Sequence, residues 1–107
     1  MIREISATEL KSRLDAHDDR PFLLDVREPT EFAFCRIESS VLIPLGELPG
    51  RAQELPTDRD IVAICHHGNR SFSAAAWLQQ SLGLSAISLR GGVAAWASEV
   101  DPTMKQY

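Results

Sequence analysis

Apolar residues recur along this chain in short runs, separated by polar segments of helical period. Met1 to Ile5 reads as a first strand. Ser6 followed by Glu9 has capping-box spacing, and Leu10 and Leu14 then recur at helical intervals, which predicts a helix from about Ala7 to Ala16. Asp18 to Pro21 turns the chain into a second apolar strand, Phe22 to Val26, with Asp25 near its carboxyl end. Arg27 to Phe34 reads as a loop and a short helix, since Pro29 and its acidic neighbours suit a first helical turn. Val41 to Ile43 is a third strand, ended by Pro44, and Gly46 to Leu55 a short helix interrupted at Pro49-Gly50. Asp60 to Ile64 is a fourth strand, Ser71 to Leu82 a helix stopped by Gly83, and Ala86 to Leu89 a fifth strand. Arg90-Gly91-Gly92 then turns into a last helix carrying Val93 and Trp96, and Asp101 to Tyr107 is a loose or docked tail. Strands alternating with helices imply an α/β domain with a mostly parallel sheet covered on both faces.

One junction in this pattern carries chemistry. The β-branched run Ile61-Val62-Ala63-Ile64 delivers Cys65, and the polar loop His66-His67-Gly68-Asn69-Arg70 leads into the helix expected at Ser71. A cysteine where a central strand gives way to a helix stands where ligands bind in open α/β sheets, beyond the carboxyl ends of the strands. Amides of a tight loop entering a helix N-terminus form a cup for anions, and the same field favours a thiolate at Cys65. Arg70 adds a fixed positive charge with a planar fork of donors.

Composition narrows the setting. The chain has 107 residues, 44% hydrophobic and 24% charged, which is one domain of ordinary globular balance. A net charge of -4 and the lack of a basic run argue against nucleic acid as a partner. With two cysteines, Cys35 and Cys65, no CxxC and no zinc spacing, no metal and no cofactor are expected. The N-terminus lacks the apolar stretch of a signal peptide, and no run has the length of a membrane span. A soluble, cytoplasmic protein with free thiols and no membrane partner is the expectation.

The order of motifs resembles the rhodanese-like family from near one end of the chain to the other. The resemblance rests on Leu24-Asp25-Val26-Arg27-Glu28-Pro29-Thr30-Glu31-Phe32, Ile43-Pro44-Leu45, Cys65-His66-His67-Gly68-Asn69-Arg70-Ser71 and Leu89-Arg90-Gly91-Gly92-Val93-Ala94-Ala95-Trp96. It implies one rhodanese-like domain over residues 1–107, with a five-stranded sheet. It also implies sulfurtransferase chemistry of the thiosulfate type. A sulfane sulfur would pass from a small sulfur-containing anion, or from a protein or low-molecular-weight persulfide, to Cys65. It would then pass to an acceptor such as cyanide or a protein thiol. Cys65 to Arg70 is Cys-x4-Arg, the compact loop that the family associates with sulfur transfer; related phosphatases carry one residue more. Where the family often has Gly-His-Ile-Pro-Gly-Ala, this chain has Cys35-Arg36-Ile37-Glu38-Ser39-Ser40.

Cys65 is thus the expected nucleophile, with His66, His67, Gly68, Asn69, Arg70 and Ser71 as the anion-binding loop. Gly68 answers a backbone requirement, and the two histidines stand as rim donors or as plain exposed residues. Arg70 either orients the donor or pairs with a carboxylate. Asp25 is expected to brace the active loop, and Arg27 to pair with it or to act as a second site cation. Cys35 is either a resolving thiol or a small packing residue. Trp77 and Trp96 read as core, and His17 has no evident partner. Two other functions compete: a protein-interaction module without turnover, and an arsenate reductase or phosphatase on the same cup.

Overall fold

The computed structural model describes residues 2–16 and 18–107. Met1, at the head of the expected first strand, and His17 lie outside the described residues. Five strands form one parallel sheet in the order β1-β5-β4-β2-β3: β1 (Arg3–Ile5), β2 (Phe22–Asp25), β3 (Val41–Leu42), β4 (Ile61–Ile64) and β5 (Ala86–Leu89).

Side chains alternate across the pleat, so each strand feeds two cores. Leu24, Ile61, Ala63 and Cys65 face the side covered by α3 (Leu48–Arg51) and α4 (Asn69–Leu82). Leu23, Val62, Ile64, Ile87 and Leu89 face α1 (Ala7–Asp15) and α5 (Gly92–Glu99). Trp96 belongs to this second core, and Trp77 packs against the first. β4, buried at all four positions, is hydrophobic throughout as a central parallel strand must be.

Local chemistry sets the helix ends. The Ser6 hydroxyl accepts from the Glu9 N–H at 3.1 Å while the Glu9 carboxylate accepts from the Ser6 N–H at 2.9 Å. Such a box is worth roughly 1 kcal/mol. Ala16 serves as C-cap rather than as the last helical residue. Gly83 closes α4, donating to Gln79 O at 3.1 Å. The Gly46 to Leu55 stretch is three short pieces, with α3 between single turns at Leu45–Glu47 and Ala52–Glu54; Pro49 sits in the first turn of α3, where its missing N–H costs nothing. The α2 helix (Pro29–Phe34) starts with Pro29 at its head, capped by Glu28 and Glu31.

Two expectations shift. The third strand stops at Leu42, one residue short of Ile43, as the chain nears Pro44; the Ile43 and Leu45 N–H groups still reach Asp25 O and Val26 O, at 2.9 and 3.1 Å. The α4 helix begins at Asn69 and not at Ser71, because Gly68 is the break in the chain. Asn69 and Arg70 are polar because they stand at a helix start beside solvent.

The sheet order reverses between β2 and β4: β2 leads outward to β3, and β4 leads the other way to β5. The paired carboxyl ends at this switch point are Asp25 and Ile64. Cys65 and the Val26-Arg27 segment therefore leave the sheet side by side, at the crevice where this topology binds ligands.

Candidate active site

Cys65 follows the last residue of β4, and its side chain is buried, with the residue 1% exposed. The sulfur is not surrounded by carbon alone. Its Sγ accepts from the Gly68 N–H at 3.1 Å and the Ser71 N–H at 3.3 Å, and lies 3.4 Å from Ser71 Oγ. Both amides belong to the first turn of α4 and its cap, so the positive end of a 14-residue helix points at the sulfur. Two amides converging on one sulfur at a helix start are a geometry suited to an anion, which a thiol packed only for its volume does not need.

The loop takes this shape because two glycines allow it. Gly68 caps α4 at φ 108°, a conformation an L side chain rarely adopts. Gly92, at φ 59°, lets the start of α5 come against the loop, where a Cβ would collide with the carbonyl oxygens of Cys65 and His66. Ser71 is fully buried; its hydroxyl donates to Gly68 O at 3.1 Å and pairs with Ser88 Oγ of β5 at 2.8 Å.

Around the mouth the charges are paired. Arg70 forms a two-point ion pair with Glu31 of α2, with Nη1 to Oε1 at 2.7 Å and Nη2 to Oε2 at 2.9 Å. Those bonds, with further help from the Glu28 N–H and the Tyr107 hydroxyl, pull the Glu31 carboxyl down to about 2. The same carboxylate, ahead of the nearby Cys65 and Tyr107, holds the Arg70 guanidinium firmly charged. Tyr107 Oη donates to Glu31 Oε2 at 2.8 Å and accepts from Arg27 Nη1 at 2.9 Å. Its ring stacks on His66, centroids 3.9 Å apart, and His66 stacks on His67 at the same spacing. Burial, and then His67, push the His66 imidazole below its ordinary range, towards the neutral form.

Asp25 and Arg27 are fully buried beneath this mouth. Arg27 Nη2 and Nε donate to Asp25 at 2.7 and 2.9 Å, and Nη2 also reaches Cys35 O at 2.6 Å. The pair therefore braces the segment after β2 and, through Arg27, the Tyr107 ring. The Asp25 carboxylate hydrogen-bonds to Arg27, and through Arg27 and Tyr107 it is linked to the Glu31–Arg70 pair at the mouth. Cys35 is a free thiol 3.7 Å from Arg27 Nη1 and packs against the α1/α5 core, on the other side of the sheet from Cys65.

Of the residues read from the sequence, Gly68 and Ser71 meet Cys65 directly. Arg70 faces Glu31, His66 meets Tyr107, and His67 and Asn69 form the exposed rim. Sequence reasoning gave no site role to Ser88 or Tyr107, and read Glu31 and Gly92 only as a helix-start and a turn residue within the family motifs. Ser88 had a signal, a polar residue in the apolar run Ala86-Ile87-Ser88-Leu89. The tail had none, because nothing local marks where Tyr107 lands.

Fold and site together define an α/β domain that holds one cysteine sulfur against two loop amides at the switch point of a parallel sheet. A family model for the rhodanese-like domain matches residues 6–99, and the chain belongs to that family. It is 39% identical to a sulfurtransferase of Allochromatium vinosum over 97 residues, 91% of this chain and 90% of that protein. It is 36% identical to a putative sulfurtransferase of Bacillus subtilis over 101 residues, covering 94% of this chain and 96% of that one. A rhodanese-related protein from Thermoplasma volcanium superimposes with a TM-score of 0.83 at 39% identity, covering 92% of this chain and 93% of the other.

Proposed function

We propose that this chain is a sulfurtransferase that carries sulfane sulfur as a persulfide on Cys65. The observation that carries this reading is the Sγ atom held by the Gly68 and Ser71 amides at the head of α4. The Cys65 thiolate attacks the sulfane sulfur of a donor. With thiosulfate, the S–S bond breaks and its electron pair leaves with sulfite, giving Cys65–S–S⁻. With a persulfide R–S–SH, attack on the outer sulfur releases the thiolate R–S⁻ and gives Cys65–S–SH. The loop amides that hold the thiolate then hold the persulfide charge, and need little reorganisation between the two states. Attack on the outer sulfur by cyanide or a thiolate returns Cys65 to its starting form and closes the cycle.

The domain spans the chain as one unit, and its chemistry suits a reducing, cytoplasmic setting where both thiols stay free. A small sulfur anion or a protein persulfide is the donor. Single-thiol chemistry is favoured over a reductase that needs a second thiol, because half-buried Cys35 packs against the α1/α5 core while Cys65 belongs to the other one.

The test is sulfur transfer to cyanide from thiosulfate and from a persulfide donor, read as thiocyanate, with mass spectrometry of the loaded protein. Cys65→Ser is expected to abolish both the transfer and the gain of one sulfur, and Cys35→Ser to retain them. Folded wild type that gains no sulfur from either donor would leave a binding module in place of an enzyme.

A further inference from the structure

The mouth of the Cys65 loop is unusual for a site that must take up a small dianion, because its strongest cation is already occupied. Both Arg70 donors used at the mouth end on one carboxylate. That carboxylate is fixed in turn: Glu31 Oε1 also accepts the Glu28 N–H at 2.9 Å, and Oε2 also accepts the Tyr107 hydroxyl at 2.8 Å. Arg27, the next cation inward, is balanced by Asp25 at 2.7 Å. Burial keeps His66 towards its neutral form. Lys105 of the tail is exposed, with its ammonium over the Phe34 ring at 5.8 Å. The two arginines of the mouth are thus each paired with a carboxylate, and the loop amides and helix terminus carry the attraction that Arg70 would otherwise supply. Beside His66 and His67 lies a narrow cleft of about 90 Å³, walled by Val93, Ala94 and the Tyr107 ring, with Lys105 and Gln106 of the tail also lining it. The Val93, Ala94 and Tyr107 walls offer an organic group a burial that thiosulfate cannot use.

We infer that Glu31 is a specificity-determining residue: by neutralising Arg70, with Tyr107 holding it in place, it turns the site from dianionic donors towards persulfides that carry an organic group. This inference rests on the sulfurtransferase reading. Thiosulfate brings two negative charges and must either displace Glu31 from Arg70 or sit beside its carboxylate. A persulfide group brings at most one charge, and a neutral organic group on it can enter the cleft. Both donors deliver the same sulfur by the same attack; only entry differs.

Single-turnover loading of Cys65, followed by rapid quench and mass spectrometry, tests it with two probes, thiosulfate and 2-hydroxyethyl persulfide. Gln at position 31 keeps an oxygen for the Glu28 N–H, so Glu31→Gln preserves the start of α2. The ratio of thiosulfate to persulfide loading rates is expected to rise about tenfold in Glu31→Gln, and to fall back as salt is added. Tyr107→Phe, which keeps the ring stack and removes one hydrogen bond from the carboxylate, is expected to raise the ratio less. An unchanged ratio in both variants, whether or not the rates fall together, would overturn the role of Glu31 and leave the sulfurtransferase reading intact. Wild type that loads from neither probe would overturn both.

Discussion

The Cys65 carbonyl oxygen accepts the Val93 N–H at 2.9 Å, and the His66 carbonyl accepts the Ala94 N–H at 3.1 Å. The start of α5 thus takes the two carbonyls that follow β4. The N–H groups of those two peptides, on His66 and His67, point the opposite way, and the next residue is Gly68, whose N–H meets the sulfur. The loop that holds the sulfur is thus fixed from behind by the backbone of α5.

That relationship depends on Gly92. At φ 59°, and with a Cβ driven onto the Cys65 and His66 carbonyls, Gly92→Ala combines backbone strain with a backbone clash. A loss of about 3 kcal/mol or more in unfolding free energy is expected, read as a lower urea midpoint. An unchanged midpoint would mean that α5 can move off the loop at no cost.

Ser71 and Ser88 are both fully buried and share one hydrogen bond at 2.8 Å. Ser71→Ala takes a polar neighbour from the sulfur and strands the Ser88 hydroxyl, so it is expected to cost about 2 kcal/mol and to slow Cys65 loading several-fold. Ser88→Ala leaves Ser71 its bond to Gly68 O and is expected to cost about 1 kcal/mol or less, with loading near wild type. Equal effects of the two variants on loading, measured in single turnovers, would remove Ser71's direct part.

The Asp25–Arg27 pair is a case where removing one partner is worse than removing both. Asp25→Asn leaves a guanidinium buried with too little negative charge, and a loss of about 3–5 kcal/mol is expected by thermal or urea unfolding. Replacing the pair with Leu and Met at positions 25 and 27 is expected to recover a good part of that loss. The double variant would still lack the donors to Cys35 O and Tyr107, so its tail should be cut faster by carboxypeptidase.

What could be read from the sequence was whatever is written locally. Ser6 and Glu9 announce α1, Gly83 announces the end of α4, and β-branched runs announce the sheet. Cys65, Gly68 and Ser71 lie within seven positions, so a loop and a helix suffice to bring them together. The start of α4 was misplaced because Asn69 and Arg70 are polar, and polarity marks an exposed helix start as readily as a loop. The partners of the mouth lay out of reach for a different reason. Arg70 meets Glu31 across 39 positions, and Tyr107 meets Arg27 across 80, and no periodicity encodes which long polar side chains will converge. Gly92 was visible as a turn residue, but its pressure on Cys65 exists only once α5 is folded back.

The Glu31–Arg70 pair also leaves a mark on stability. Arg70, then the Glu28 N–H and the Tyr107 hydroxyl, pull the Glu31 carboxyl from an ordinary 4.5 to about 2 in the folded chain. The folded state therefore favours the ionised form, and the unfolded chain binds this proton first as pH falls. The stabilisation is fully present above about pH 4.5 and is lost progressively as pH falls through about 2. With Arg70 36% and Glu31 19% exposed, solvent screening limits it to about 1 kcal/mol. Asp60 is held low as well, chiefly by Ser85, and contributes to acid sensitivity in the same direction. Glu31→Gln keeps that background and deletes only the Glu31 part. Urea unfolding across this acid range should show wild type losing about 1 kcal/mol more than Glu31→Gln. Parallel curves for the two proteins would mean that Arg70 and Glu31 do not pair in solution, and the neutralisation of Arg70 at the mouth would go with that pair.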